Sequence, residues 1–320
     1  MAINRDKPDL WKDDVARSVD LYNEWFMTFA PKAFRETRLK VTKDVEATLR
    51  ATQNLRKIKP DILRANPSAL PTLRMCTCPP LARDRLIGLA KLSKNLVERM
   101  EKDGKVPPGL TDGRISAEFA RIGAIIQKLA DRDILTWLES VAAPTSEQLR
   151  RASTIVADRL CGATADPIIR NEQEARQLKT IAAWLNARGY KRRPVGGAKF
   201  NAMAPGTYAF RINVPVTLTR KPAKTVNIPV DAAIMLKSAR PGDLPVCVEA
   251  KSAGDFTNVN KRRKEEAQKM NQLKSTYGGK LIYVLFLCGY FDSGYLGYEA
   301  AEGIDWIWEH RVDDFAGLGL

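Results

Sequence analysis

The sequence predicts an α/β fold preceded by a helical N-terminal domain, and three observations support this prediction. Residues 8–160 show the apolar spacing of amphipathic helices and few runs of β-branched residues. After Cys161 and Gly162 the pattern changes, and short apolar runs typical of strands follow. The second half then has the order helix, three strands, helix, strand. We therefore expect a helical domain over residues 1–160 and an α/β domain over residues 161–320.

The first half divides into five predicted helices, at residues 9–29, 32–55, 80–100, 116–129 and 145–160, with prolines between several of them. Residues 32–59 hold nine basic and three acidic side chains. This positive excess has two interpretations, a face that contacts phosphates or a helix surface in solvent. The sequence leaves both open.

The second half supplies the remaining elements. Residues 168–189 predict a helix that ends at Gly189, and residues 259–277 predict a polar helix that ends at Gly278 and Gly279. Strands are predicted at residues 207–219, 225–237, 244–251 and 280–288. The last of them lacks polar alternation, which indicates a central strand with both faces covered. A short helix near residues 312–318 closes the chain.

The charge of the chain points to a polyanionic partner. The formal net charge is +15, and it divides into about +7 for residues 1–150 and about +8 for the rest. Such an excess favours nucleic acid, ahead of an acidic membrane surface, and both halves of the chain could touch it. The alternative is an ordinary protein that has a high isoelectric point.

Cysteine and histidine usage excludes several classes of site. The five cysteines are odd in number and scattered, so a disulfide framework is not expected, and Cys76 and Cys78 lack the second pair of ligands of a structural zinc site. His310 is the single histidine, so zinc hydrolases, His-Asn-His nucleases and histidine-based triads fit poorly, and we interpret it as structural. With no long apolar run and no signal-peptide pattern, we expect no membrane association and a cytoplasmic location.

Residues 227–251 carry the candidate chemistry. An apolar β-like run contains Asp231, a tight connection follows, and a second run ends in Glu249, Ala250 and Lys251. Strand alternation puts Glu249 and Lys251 on one face, and Asp231 reaches the same edge if the two runs are neighbours. Two carboxylates and an ammonium group would then converge.

Such a cluster suits a Mg²⁺ site for phosphodiester hydrolysis, because Mg²⁺ is held by one or two carboxylates while water and phosphate fill its other positions. Asp231 and Glu249 would be these carboxylates, and the carbonyl of Ala250 would be a further ligand. Lys251 would orient the attacking water. Its two carboxylate neighbours oppose the loss of charge that burial favours, so neutrality is not assumed.

The helix that follows places donors and positive charge where a DNA backbone would pass. The candidate DNA-binding residues on it are Asn258, Asn260, Lys261, Arg262, Arg263, Lys264, Gln268 and Lys269. The alternative interpretation, a basic helix face in solvent, is less favoured because this helix begins directly after Lys251.

These motifs resemble a known family. Asp231 followed by Glu249-Ala-Lys251 is similar to the catalytic motif of the PD-(D/E)XK nucleases. The strings RNEQEARQL (170–178), VEAKSAGDFTNVNKRRKEE (248–266), LFLCGYFDSGYLGYEAA (285–301) and DWIWEHRVDD (305–314) resemble the XamI family of type II restriction endonucleases. The motif departs from the superfamily pattern in one place, since Val230 precedes Asp231 and the nearest proline is Pro229.

The resemblance implies a restriction-endonuclease-like core, which is a mixed sheet with helices on both faces. It assigns Asp231, Glu249 and Lys251 to the catalytic triplet. It further implies site-specific hydrolysis of double-stranded DNA with Mg²⁺, for which Mn²⁺ can substitute, and a homodimer. A cognate DNA methyltransferase is expected as a genetic partner and not a physical one. The helical domain would serve DNA binding, dimerisation or both.

Enzymes of this superfamily often add a glutamate from the first core helix, and two candidates exist here. Glu174 lies on the same helical stripe as Leu178 and Leu185, which favours it over Glu172. An exposed ion pair of Glu174 with Arg170 is an equal alternative.

Two other interpretations of the whole chain stay open at this point. One is a PD-(D/E)XK nuclease of the repair or resolvase type. The other is a non-catalytic DNA-binding protein whose Glu249 and Lys251 form a structural ion pair. The aromatic residues of the tail are interpreted as core residues ahead of base-stacking ones. They are Tyr290, Phe291, Tyr295, Tyr298, Trp306 and Trp308.

Overall fold

A computed structural model describes residues 2–109, 111–194, 199–218, 224–256 and 259–320, without the side chains at 218 and 260–263. The chain forms two compact units, one of Met1–Phe29 with Arg170–Leu320 and one of Ala30–Ile169. The predicted domain boundary between residues 160 and 161 falls inside a helix and stays a prediction.

Unit Ala30–Ile169 is helical. The helices of the first half are α1 (Pro8–Ala51), α2 (Pro60–Ala65), α3 (Leu70–Met75), α4 (Arg83–Ala90), α5 (Lys94–Asp103) and α6 (Asp112–Leu129), and α7 (Ser146–Ala187) follows them. In α6 the apolar residues Ile115, Phe119, Ile122 and Ile126 are buried, as their helical spacing predicts. They join one apolar core with Leu63, Leu73 and Trp137.

Two predicted helix breaks are wrong. Helix α1 continues through Pro31 and helix α7 continues through Pro167, so each merges two predicted helices. A proline removes one backbone donor and clashes with the preceding turn, at a cost of about 3 kcal/mol. Both prolines are exposed, but Ala30, Ala33 and Ala165 near them are buried, and the packing of these helices can offset the cost.

The helix predicted at residues 80–100 is in fact two. Lys91 adopts a left-handed conformation with φ +50°, which ends α4, and Ser93 caps α5 by accepting a hydrogen bond from the N–H of Leu96 at 3.2 Å. The left-handed state is uncommon for a lysine, and no glycine stands at this position, so the break could not be predicted from the sequence.

Unit Met1–Phe29 with Arg170–Leu320 contains a six-stranded mixed sheet with strands in chain order. The strands are β1 (Lys191–Arg192), β2 (Thr207–Leu218), β3 (Lys224–Ile234), β4 (Val246–Ala253), β5 (Tyr283–Gly289) and β6 (Asp305–Trp308). Pairs β2–β3 and β3–β4 are antiparallel, whereas β1–β2, β4–β5 and β5–β6 are parallel. Strand β5 is buried along its whole length and lies between β4 and β6, as predicted.

Helices cover both faces of this sheet, which confirms the predicted fold class. Leu178, Ile181 and Leu185 of α7 pack on one face. Helix α8 (Val259–Tyr277), whose bounds match the prediction, packs Met270 and Leu273 on the other face. Helix α9 (Ser293–Ala301) follows β5, and a 3-10 helix, Glu309–Leu318, closes the chain where a short helix was expected.

The first residues of the chain are tied to β6, a strand that the sequence did not predict. Asn4 donates its backbone N–H to Asp305 Oδ1 at 3.0 Å and its side-chain amide to the carbonyl of Trp306 at 2.9 Å. The rings of Trp11 and Trp306 lie 5.4 Å apart in an edge-to-face contact. Strand β6 has only four residues, all buried, so it has no alternation to detect.

Among the described residues, none of the helices combines the length and the apolar character needed to cross a bilayer. The aromatic tail behaves as core in most of its members, since Phe291, Tyr295, Trp306 and Trp308 are buried. His310 contacts Asp14 through Nε2 at 3.2 Å, which agrees with its structural interpretation.

Candidate active site

The candidate site lies where β3 and β4 pair. Ala232 lies opposite Val248 in an antiparallel register, and one further step brings Asp231 beside Glu249. Oδ2 of Asp231 accepts a hydrogen bond from the backbone N–H of Ala250 at 2.8 Å. The two runs therefore pair as predicted. The hydrogen bond joins Asp231 and Ala250, which are nineteen positions apart in the chain.

Strand alternation brings Lys251 to Glu249. Residues two apart on a strand share a face, and Nζ of Lys251 lies 3.1 Å from Oε1 of Glu249. Both side chains are mostly buried, at 20% and 9% exposure. Asp231, Glu249 and Lys251 thus converge as the sequence predicted.

Helix α8 contributes two more side chains. The ammonium group of Lys269 pairs with Oε2 of Glu249, and Oε1 of Glu266 lies 3.5 Å from Nζ of Lys251. Glu266 is almost fully buried, and its Oε2 accepts a hydrogen bond from the hydroxyl of Tyr295 at 2.7 Å. Sequence reasoning missed Glu266 and Tyr295. The available signal was the spacing of three between Glu266 and Lys269, which puts both on one side of a helix.

Burial and neighbouring charges set the protonation of the site. Burial raises the pKa of Asp231 to about 6, and the negative charge of Glu249 adds to the increase, while the N–H of Ala250 and the charge of Lys251 oppose it. Burial lowers the pKa of Lys251, but the charges of Glu249 and Glu266 outweigh it, so that pKa lies above the ordinary value. Lys251 is therefore a charged donor at neutral pH.

The donor set suits a hard divalent cation. Asp231 and Glu249 bring two carboxylates together, and the charge of Glu249 adds to the increase that burial produces in the pKa of Asp231, so the two carboxylates are close enough to interact. Among the described residues there is no cluster of three or more His, Cys, Asp or Glu side chains arranged for a metal. A site built from these two carboxylates and the carbonyl of Ala250 would leave positions for water and phosphate, as Mg²⁺ requires.

Glu174 lies beside this centre, whereas Glu172 has no contact with it among those that the structure describes. Oε1 of Glu174 accepts a hydrogen bond from Nε of Arg211 at 2.9 Å, and its charge contributes to the raised pKa of Asp231. Glu172 is exposed on α7. The partner of Glu174 is thus Arg211 of β2, whereas the sequence suggested Arg170 as the alternative.

Arg211 marks a distortion of β2 that the sequence did not reveal. Phe210 lies opposite Ala232 and Ile212 lies opposite Val230, which leaves Arg211 opposite Asp231. Its φ is +53°, a left-handed value that is uncommon for a residue other than glycine. Backbone strain of this kind often accompanies functional sites, because the surrounding structure must hold it in place.

A groove of about 510 Å³ runs along β2 beside Arg211. In the described part of the chain β1 pairs with β2 at Thr207 and Tyr208, and the groove is lined by later residues of β2, between Ala209 and Pro215. Its polar lining consists of Lys199, Asn201, Arg211, Asn213 and Asn227. Amide and guanidinium groups of this kind are the ones that read base edges and phosphates.

The predicted DNA-binding residues divide into three groups. Asn258 lies outside the described residues, and the side chains of Asn260, Lys261, Arg262 and Arg263 are likewise not described. Lys264 and Gln268 are exposed, one helical turn apart on α8. Lys269 is only 16% exposed and turns toward Glu249.

Comparison with known proteins identifies the family of the chain. The sequence matches the family described as XamI restriction endonuclease over residues 53–308. It is 51% identical over 318 residues to the type II restriction enzyme SalI of Streptomyces albus G, an alignment that covers 99% of each chain. No solved structure matches it. This chain is a member of the XamI family of restriction endonucleases.

Proposed function

We propose that this type II restriction endonuclease cuts double-stranded DNA with Asp231, Glu249 and Lys251 as its catalytic residues. The convergence of these three side chains where β3 and β4 pair supports the assignment. Glu174 is proposed as a fourth member. It accepts a hydrogen bond from Arg211, and its charge contributes to the raised pKa of Asp231. Family membership favours restriction over a repair nuclease or a non-catalytic DNA-binding protein.

Asp231, Glu249 and the carbonyl of Ala250 would hold Mg²⁺, or Mn²⁺ in its place. When bound, the metal would supply Lewis-acid stabilisation of the charge that builds on the phosphate. Hydrolysis also needs a positioned water and a donor for the developing charge. Lys251 meets the second need, since its ammonium group stays charged between Glu249 and Glu266. A charged lysine donates hydrogen bonds and does not act as a base, so its role is to orient the water and stabilise the phosphate.

DNA would lie along the first turns of α8. Lys264 and Gln268 present donors on an exposed face of this helix, and the sequence at and just before its start adds Asn258, Asn260, Lys261, Arg262 and Arg263. Phosphate contacts of this kind hold register but do not read sequence. The net charge of +15 would strengthen them.

Assembly and biological setting follow from the same proposal. Type II enzymes that read palindromic sites act as two-fold dimers in which each subunit cuts one strand, so we propose a homodimer. The helical domain, residues 1–160, would provide dimer contacts, DNA contacts or both. A cognate methyltransferase gene and a cytoplasmic location complete the proposal.

The test is cleavage of plasmid and genomic DNA by purified enzyme with Mg²⁺, followed by mapping of the ends. Discrete fragments are expected from the wild type. Glu249→Ala and Lys251→Ala should abolish cleavage and retain DNA binding, while Glu147→Ala and Lys280→Ala, at exposed positions, should cut normally. Full activity in either site variant would refute the assignment.

A further inference from the structure

Glu249 has both carboxylate oxygens engaged by ammonium groups. Nζ of Lys251 lies 3.1 Å from Oε1, and Lys269 pairs with Oε2. All three side chains are at least 80% buried, so water screens these pairs little. Glu249, which is proposed to hold a divalent cation, therefore has both of its oxygens paired with ammonium groups of the protein.

The two lysines differ in the partners that they would keep if Glu249 turned to a cation. Lys251 has a second carboxylate, because Glu266 lies 3.5 Å away and is itself anchored by Tyr295. Within the described part of the chain, the only ion pair of Lys269 is the one with Glu249. A buried charge that loses its partner is costly, so Lys269 would need a new anion.

The charge balance of the cluster identifies the class of that anion. With its groups ionised, the cluster has three carboxylates, from Asp231, Glu249 and Glu266, and two ammonium groups, so it carries one net negative charge. A divalent cation would convert this to one net positive charge. A phosphodiester carries one negative charge, which would restore neutrality.

Lys269 is also suitably placed for such an exchange. It follows Gln268 and lies five residues after Lys264, on the helix proposed to contact DNA. Its four-carbon stem is flexible, so its charged end can move from a carboxylate to a nearby phosphate without a change in the helix. Lys251 has less freedom because two carboxylates hold it.

We propose that Lys269 is the counter-ion of Glu249, and that Lys269 would pair with a phosphate of the bound DNA when Glu249 holds a divalent cation. This inference rests on the proposed site at Asp231 and Glu249. Metal binding and DNA binding are then linked through one side chain, and each strengthens the other because such coupling is reciprocal.

The first test is the salt dependence of DNA binding, measured with and without Ca²⁺ on an oligonucleotide that carries the mapped cleavage site. Each phosphate contact contributes about 0.9 to the slope of log K against log salt. With Ca²⁺ present, Lys269→Gln should reduce the magnitude of this slope by about 0.9 relative to the wild type. Without Ca²⁺, the slopes of the variant and the wild type should be equal. Lys269→Arg should resemble the wild type, and Lys280→Gln, an exposed matched control, should change neither slope.

The second test is calorimetric binding of Mn²⁺ to the enzyme without DNA. Lys269→Gln should bind Mn²⁺ several-fold more tightly, because the cation no longer competes with an ammonium group for Glu249. Lys269→Met, which keeps the apolar stem, should behave in the same way and guards against a folding defect in the first variant. Lys280→Gln should bind as the wild type does.

Two results would overturn the inference. One is an equal effect of Lys269→Gln on the slope with and without Ca²⁺, whether zero or about 0.9. The other is unchanged or weaker Mn²⁺ binding by both Lys269 variants. Failure of the proposed site would look different, since Glu249→Ala would then still bind Mn²⁺ and cut DNA.

Discussion

The backbone N–H of Ala250 donates a hydrogen bond to Oδ2 of Asp231 at 2.8 Å, across the pair of strands that carries the candidate site. This bond holds together the two parts of the candidate site, Asp231 on β3 and residues 249–251 on β4. It also satisfies one oxygen of a carboxylate whose pKa burial raises to about 6. The same strand thus holds Asp231 in place through Ala250 and supplies Glu249 and Lys251 beside it.

Glu266 is expected to position Lys251. Replacing Glu266 by Gln keeps an acceptor for Tyr295 but removes the charge 3.5 Å from Nζ of Lys251. The single-turnover cleavage rate should fall about 10- to 100-fold, the range seen when groups that orient active-site residues are lost. DNA binding with Ca²⁺ should be unchanged. Glu265→Gln, at an exposed neighbouring position, is the control, and a wild-type rate for Glu266→Gln would contradict this role.

The two candidate glutamates of α7 should behave differently. Glu174→Gln breaks the pair with Arg211 beside Asp231, so cleavage should slow. Glu172→Gln changes an exposed residue and should have no effect on the rate. The measurement is the cleavage rate of each variant at saturating Mg²⁺, compared with that of the wild type. Equal rates would exclude Glu174 from the site.

Gly289 at the end of β5 should not tolerate a side chain. Its φ is +102°, and an added Cβ would collide with the carbonyl oxygen of Ala253, its register partner on β4. Gly289→Ala should lower the free energy of unfolding by about 2–4 kcal/mol in urea denaturation. At Gly279 an added Cβ meets nothing within 4 Å, so Gly279→Ala should change stability by less than about 1 kcal/mol. Similar losses in both variants would refute the steric explanation.

The titration of His310 can be followed by NMR without overlap from other imidazole resonances, because it is the single histidine of the chain. Burial lowers its pKa below the ordinary 6.5, and the positive charges of Arg311 and Arg17 act in the same direction, while Asp14 opposes them through a hydrogen bond and its charge. The imidazole resonance should therefore titrate below pH 6.5. Asp14→Asn should lower this pKa further.

The sign of the effect on stability follows from the same shift. A histidine whose pKa is lower in the folded state takes up its proton more readily in the unfolded state. The contribution of His310 to stability is then complete above pH 6.5 and is lost as the pH falls from 6.5 through the lower folded-state pKa. A resonance that titrates above pH 6.5 would contradict the arrangement with Asp14 and Arg311.

Local patterns in the sequence predicted a large part of this protein. Apolar runs located β2 to β5, and polar helical spacing bounded by two glycines located α8 at its observed ends. Alternation along β4 predicted the contact of Glu249 with Lys251, since residues two apart on a strand share a face. Family-like strings predicted the family, which the comparisons confirmed.

Only the tertiary structure decided what depends on contacts between distant parts of the chain. The passage of α1 and α7 through Pro31 and Pro167 runs against local propensity, and other residues of both helices are packed in the core. The ion pair of Lys269 with Glu249 and the position of Glu266 require α8 to fold back on β4. Sequence by itself therefore determined the proposed triplet, Asp231, Glu249 and Lys251, as a set of residue types on neighbouring strands. The surroundings that set the charge and orientation of the triplet arise from long-range packing, which leaves no periodic signal in the sequence.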